Sequence, residues 1–130
     1  MGKYEGITKY IQIIEDHGHL FMYYGTPYSD ECDVYDDEKD GQKLVVSHEC
    51  HDLCSSIADE FEKDYEWHDI KDQLNLEDLF DVDLETQNLD IIIPLLLYLV
   101  WSVSFEDKFI DALNNGYLVR LLKRLESLSK

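Results

Sequence analysis

The eleven residues from Ile91 to Trp101 (IIIPLLLYLVW) carry no charge and no polar side-chain group beyond a tyrosine hydroxyl and an indole N–H. Water solvates such a stretch poorly, so it must end in lipid or at the centre of a fold. A membrane span needs about 20 apolar residues, so the run predicts a buried segment. Leu89 to Val103 reads as apolar all round, as a helix enclosed on every side would. Pro94 suits the first turn of that helix, where its missing N–H costs nothing. A chain of 130 residues has material for one such core, so a single domain over residues 1–130 is expected.

Weaker patterns surround this helix. Tyr4, Ile7, Tyr10, Ile11 and Ile14 follow helical spacing, and Gly18 is placed to stop that helix. His19 to Tyr24 reads as a strand broken by Gly25-Thr26-Pro27. Glu31 to Asp36 and Lys43 to Val46 flank Asp40-Gly41, a hairpin signal whose loop could be longer than two residues. Ser47 is placed as an N-cap for a helix from residue 48 to about 65. The stripe Cys50, Leu53, Cys54, Ile57 and Phe61 faces inward there, with Asp52, Asp59, Glu60 and Glu62 outside. Residues 66 to 88 are poorly patterned, with Trp67, Ile70, Leu74, Leu76, Leu79 and Phe80 as anchors between short helices and loops. Ser104 and Asp107 resemble a capping box, Asn114-Asn115-Gly116 a helix stop, and Leu118, Leu121, Leu122, Leu125 and Leu128 stripe a final helix. The expected fold class is α+β: mostly helical, with a small two- or three-stranded antiparallel sheet in the N-terminal half.

Charge is distributed unevenly. The chain has 29 acidic and 11 basic side chains, a net charge of -18. Between Glu15 and Asp90 there are 24 acids against four lysines, whereas the remainder is nearly neutral. Such a surface repels phosphate backbones and anionic membrane, which argues against direct nucleic-acid or lipid binding. The first residues, Met1-Gly2-Lys3-Tyr4-Glu5, show no apolar leader region. The three cysteines, Cys32, Cys50 and Cys54, are too few for a disulfide framework. A cytoplasmic setting is therefore expected.

The segment LLLYLVWSVSFEDKFIDALNNGYLVRLLKRLESL (Leu95 to Leu128) resembles the C-terminal signature of an uncharacterised small bacterial and phage protein family, a domain of unknown function. There an apolar helix leads to an aromatic-acidic helix start, an Asn/Asp-Gly stop and a Leu-rich helix with an RL pair. The segments GTPY and VVSHECHDLCSSIADEF are similar to that family's middle region. Members often carry an arginine before the second helix, where this chain has Trp101-Ser102-Val103-Ser104. The resemblance implies a fold and a prokaryotic or phage source. It brings no activity with it.

Few constellations point to chemistry. His48, Cys50, His51 and Cys54 offer zinc-ligand types, with Cys50, His51 and Cys54 within about 100° of helical arc and Cys32, His19 or His68 needed to complete a site. Buried small hydrophobes explain the same cysteines. Asp36, Glu38 and Asp40 with Gly41 match the start of a calcium loop, but its last position is Ser47, not the glutamate such a loop needs. No P-loop, GxGxxG, GxSxG or HExxH occurs, so no enzymatic activity and no cofactor are expected. Tyr23, Tyr24, Tyr28 and Tyr35 belong to the core or to the aromatic part of a binding surface.

These features lead to an expected function. The chain reads as an acidic, non-catalytic inhibitor of a basic, nucleic-acid-handling partner. That partner would be a nuclease toxin or a nucleic-acid-binding defence complex, met by an immunity protein or a phage anti-defence (anti-CRISPR) protein. Clustered carboxylates would stand in for phosphates. The expected contact residues are Asp30, Glu31, Asp33, Asp36, Asp37 and Glu38 in one polar loop, with Asp52, Asp59 and Glu60 on the following helix. The alternatives are a metal-binding regulatory or enzymatic domain built on His48, Cys50, His51 and Cys54, and an oligomer pairing through a leucine face.

Overall fold

The computed structural model describes residues 4–66, 80, 81, 83–103 and 108–128, without the side chains of His19, Asp36 and Asp37. The anchors Trp67, Ile70, Leu74, Leu76 and Leu79, together with His68 and the capping pair Ser104 and Asp107, lie outside the described residues.

The chain opens with a single turn, α1 (Glu5–Thr8), followed by α2 (Tyr10–Phe21). Gly18 does not stop α2. The backbone departs from helical geometry one residue earlier, at His17 (φ -136°, ψ 29°), and the helix then resumes to Phe21. The expected strand therefore shrinks to β1 (Met22–Tyr24). Phe21, the last residue of the helix, and Met22, the first of the strand, are equally buried, so hydrophobicity alone did not locate the boundary.

The hairpin β2 (Asp33–Lys39) and β3 (Gln42–Val46) closes through a two-residue loop, with Lys39 opposite Gln42. Asp40 and Gly41 both take positive φ (54° and 80°), as a twist-compatible tight turn requires. Strand β3 lies between β1 and β2, all pairings being antiparallel. Its Leu44, Val45 and Val46 are buried, whereas β2 keeps Asp33, Val34 and Glu38 exposed. The fold is α+β, with this sheet in the N-terminal half.

Helix α3 (His48–Phe61) begins where expected, because the Cys50 N–H donates to Ser47 Oγ at 3.1 Å. It ends at Phe61 and passes into a turn, short of residue 65. Helix α4 (Leu89–Ser102) starts at the first residue of the Leu89 to Val103 stretch, where Asn88 Oδ1 accepts from the Asp90 N–H at 3.0 Å. Pro94 therefore sits inside the helix and not in its first turn. Ile91 to Leu99 are all buried, and α4 packs on α3, α5 (Lys108–Asn114) and α6 (Tyr117–Leu128). Gly116 takes φ +84° after α5, and Asn115 Oδ1 caps α6 by accepting from the Tyr117 N–H at 2.9 Å. Arg124 of α6 donates from Nε to the Gln87 carbonyl at 3.0 Å, holding the 3-10 turn Leu84–Thr86 against the helices. The buried side chains form a continuous cluster from Tyr4 to Leu125.

Tyr117 is buried against the edge of Phe80, with ring centroids 5.1 Å apart, and its hydroxyl finds no hydrogen-bond partner among the described residues. Burial pushes the phenol up to about 12, against an opposing pull from Arg120. A Tyr117→Phe variant should unfold at equal or higher denaturant, gaining up to about 1–3 kcal/mol, since an unmet buried hydroxyl is costly. The native state holds this proton more tightly than the unfolded chain. Its contribution is therefore complete below about pH 10 and declines as pH rises towards about 12. Parallel denaturant melts at neutral and alkaline pH check both points, since the variant should lose less stability on the alkaline side.

Candidate partner-binding surface

The expected acidic loop is mostly a strand. Asp33, Asp36, Asp37 and Glu38 belong to β2, and only Asp30 and Glu31 lie in the connection before it. That connection is ordered locally, with the Glu31 N–H donating to Ser29 Oγ at 3.0 Å. Propensity disfavours acids in strands, yet the Asp40-Gly41 turn and the buried β3 fix the register. The pairing is irregular. Val34 opposes Val45 and Glu38 opposes Lys43, so Tyr35, Asp36 and Asp37 span an interval that β3 covers with Leu44 alone. A bulge of this kind releases residues from the ladder and re-aims the strand.

Asp30, Glu31, Asp33 and Glu38 are exposed, and among the described residues none of them forms an ion pair. The hairpin carries two cations of its own. Lys43 sits across from Glu38, and Lys39 lies 5.9 Å from the centre of the Tyr24 ring. The side chains of Asp36 and Asp37 lie outside the described residues.

The acids of α3 do not join these in one surface. Each helical residue turns about 100°, so the exposed arc of α3 presents two rims. On one rim, Asp59 and Glu60 border a depression with Tyr4, Gly6, Ile7 and Ser56, against α1. Asp52 is taken up by His48 at 3.2 Å. It also lies close enough to help raise the Tyr10 phenol, whose main cause is burial. The opposite rim of α3 faces α4 and the sheet. There Tyr35, His51, Cys54, Ala58 and Val100 line a cleft of about 240 Å³. Ala58 and Val100 also line a second, of about 440 Å³, together with Glu62, Tyr65, Glu66, Leu97 and Trp101. The two form one groove between α3 and α4, reaching from the acidic strand to the end of α3. Small side chains on α3 leave this space open.

Sequence reasoning placed Glu62 on an outer face and passed over Tyr65, Glu66 and Trp101 as a group. Trp101 is 40% exposed, although it ends the most buried run of the chain, and it stacks on Tyr98 at 6.0 Å. The break from burial to exposure at a tryptophan was the available signal.

The histidine and cysteine candidates diverge. Cys50 is fully buried, Cys54 is half-buried, and His48 and His51 are exposed. Burial pushes the Cys50 thiol well up, and its hydrogen bond with Cys54 adds to this, so it is held as a neutral thiol. Among the described residues no three metal-ligating side chains converge. The calcium-like segment is divided between the irregular part of β2, its paired end at Glu38 and the Asp40-Gly41 turn. Of the four tyrosines, Tyr24 and Tyr35 pack on the core, Tyr23 donates to the Thr26 carbonyl at 2.8 Å, and Tyr28, half exposed, stacks on Tyr23.

No family model, curated protein or solved structure matches the chain, in keeping with a resemblance to an uncharacterised family. No helix among the described residues is long and apolar enough to cross a membrane.

Proposed function

We propose that the protein is a non-catalytic inhibitor that binds a basic, nucleic-acid-handling partner and occupies the groove meant for phosphates. The observation that supports this most is strand β2 with its approach: Asp30, Glu31, Asp33 and Glu38 are exposed and form no ion pair among the described residues, on a hairpin whose turn fixes its register. Carboxylates on a rigid element meet a basic surface without first being ordered, which lowers the entropic cost of binding. A nuclease toxin or a nucleic-acid-binding defence complex has the complementary chemistry, so an immunity or anti-defence role follows. The three cysteines are free thiols, which fits action in a reducing, cytoplasmic setting.

The test begins with recovery of a partner at about 50 mM salt and its release at about 500 mM, as the Debye length falls from ~14 to ~4 Å. Duplex DNA should then compete with the protein for that partner, and the partner's nucleic-acid activity should fall on titration with the protein. A partner that holds DNA and this protein together, or a complex indifferent to salt, would overturn the reading.

A further inference from the structure

We propose that the open edge of β2 takes an extended, basic segment of the partner as an added strand, with Val34 as its apolar contact and Asp33 and Glu38 as its charge partners. The inference rests on the reading above and adds how the partner is held. Strand β2 lies at one edge of the sheet and β1 at the other. β1 is backed by α5, whereas β2 keeps Asp33, Val34, Glu38 and Lys39 exposed.

The direction of the backbone groups on β2 follows from β3. On the β1 side, the Ser47 N–H donates to the Phe21 carbonyl at 3.0 Å, and the Gly25 N–H to the Lys43 carbonyl at 2.9 Å. Successive residues of an antiparallel strand direct their N–H and C=O to alternate sides. The backbone groups of Lys43, Val45 and Ser47 therefore face β1, and those of Gln42, Leu44 and Val46 face β2. Val46 pairs with Asp33 and Gln42 with Lys39, so these bond within the ladder. Val34 and Glu38 lie opposite Val45 and Lys43, so their N–H and C=O turn outward, away from β3. Among the described residues nothing bonds to these groups. Val34 itself is 47% exposed, although Val45 opposite it is fully buried. Unpaired backbone groups beside an exposed valine are a template for strand addition.

Charge selects the occupant. Strand β2 carries four acids and one lysine (DVYDDEK). A second copy laid edge to edge would bring like charges together, which destabilises a pair of strands. Acids on an edge guard it against chains of the same kind, and the same acids attract a cationic strand.

The probe is a peptide of about eight residues alternating lysine and valine, compared with a counterpart N-methylated at three consecutive central residues. The methyl groups keep the charge and block hydrogen bonding along both edges. Each is titrated into the full chain while amide exchange is followed by NMR. The plain peptide should slow exchange of the Val34 and Glu38 amides about tenfold, and the methylated one should bind about fivefold more weakly. Val34→Pro removes one outward N–H and no ladder bond. It should weaken the plain peptide about fivefold with every charge in place. Should that variant unfold, the methylated peptide still decides. Asp33→Asn with Glu38→Gln should weaken binding about threefold. If both peptides bind equally, are released by salt and leave Val34 and Glu38 exchanging, strand addition is refuted and the acidic reading stands. Slow exchange at Val34 that grows with protein concentration, without peptide, would put a second copy on the edge and overturn the proposal. If neither peptide binds, the edge is refuted, and the acidic reading is decided separately by DNA competition for the partner.

Discussion

Leu121→Ala should lower the free energy of unfolding by about 2–5 kcal/mol, a large part of what a domain of this size possesses. Leu121 is fully buried on α6, the helix that touches α1, α2, α4 and α5. Removing its isopropyl group leaves a cavity in a helix packed on several elements, which no single movement can close. Leu96 and Leu125 are buried to the same degree and should give losses in the same range. Leu97 retains 8% exposure and borders the α3–α4 groove. Its truncation should cost the least of the four, because the groove already brings solvent to one side. Denaturant melts give the ranking, with an unchanged slope required for each. Losses below about 1 kcal/mol at all four would mean that the C-terminal helices are packed differently.

Reversal of the acids on β2 should have the largest functional effect. With Asp33, Asp36, Asp37 and Glu38 replaced by lysine, association with the basic partner should slow at least tenfold, since charges of this kind act mainly on the rate of encounter. The domain should stay folded. Asp33 and Glu38 are exposed, and the intervening bulge lies outside the regular ladder. A small loss of thermal stability is expected, because a lysine at 38 would face Lys43 across the strands. Association rate and melting temperature measured on the same preparation separate the two effects. An unchanged rate with an intact fold would remove β2 from the contact.

Much of this architecture was legible because its signals are local. Asp40-Gly41, Ser47 and Asn115-Gly116 each act through backbone geometry or a hydrogen bond within a few residues, and each does in the fold what its chemistry suggests. Gly18 marks a kink and not an end, since the backbone leaves helical geometry beside it, at His17, and the helix then resumes to Phe21. Pro94 misled because α4 is held by tertiary packing, which overrides a local preference against helix. The acidic residues were legible as a composition and not as a surface. Which way Asp59, Glu60 and Glu62 face depends on where α1 and α4 pack against α3. The groove was hidden more deeply still, since Ala58 and Trp101 are far apart in sequence and carry no shared motif.

The irregularity in β2 also bears on how such a surface can change over time. Side chains alternate between the two faces of a sheet, so a single inserted residue would turn every later side chain of β2 to the wrong face. Between Val34 and Glu38 the strand exceeds its partner by an even number of residues, since those positions lie opposite Val45 and Lys43. Alternation is therefore in phase on both sides of the bulge. The strand can gain or lose a pair of residues there while Val34, Glu38 and the whole of β3 stay where they are. Under the function proposed above, such a position would let the carboxylates be rearranged without reopening the question of how the protein folds.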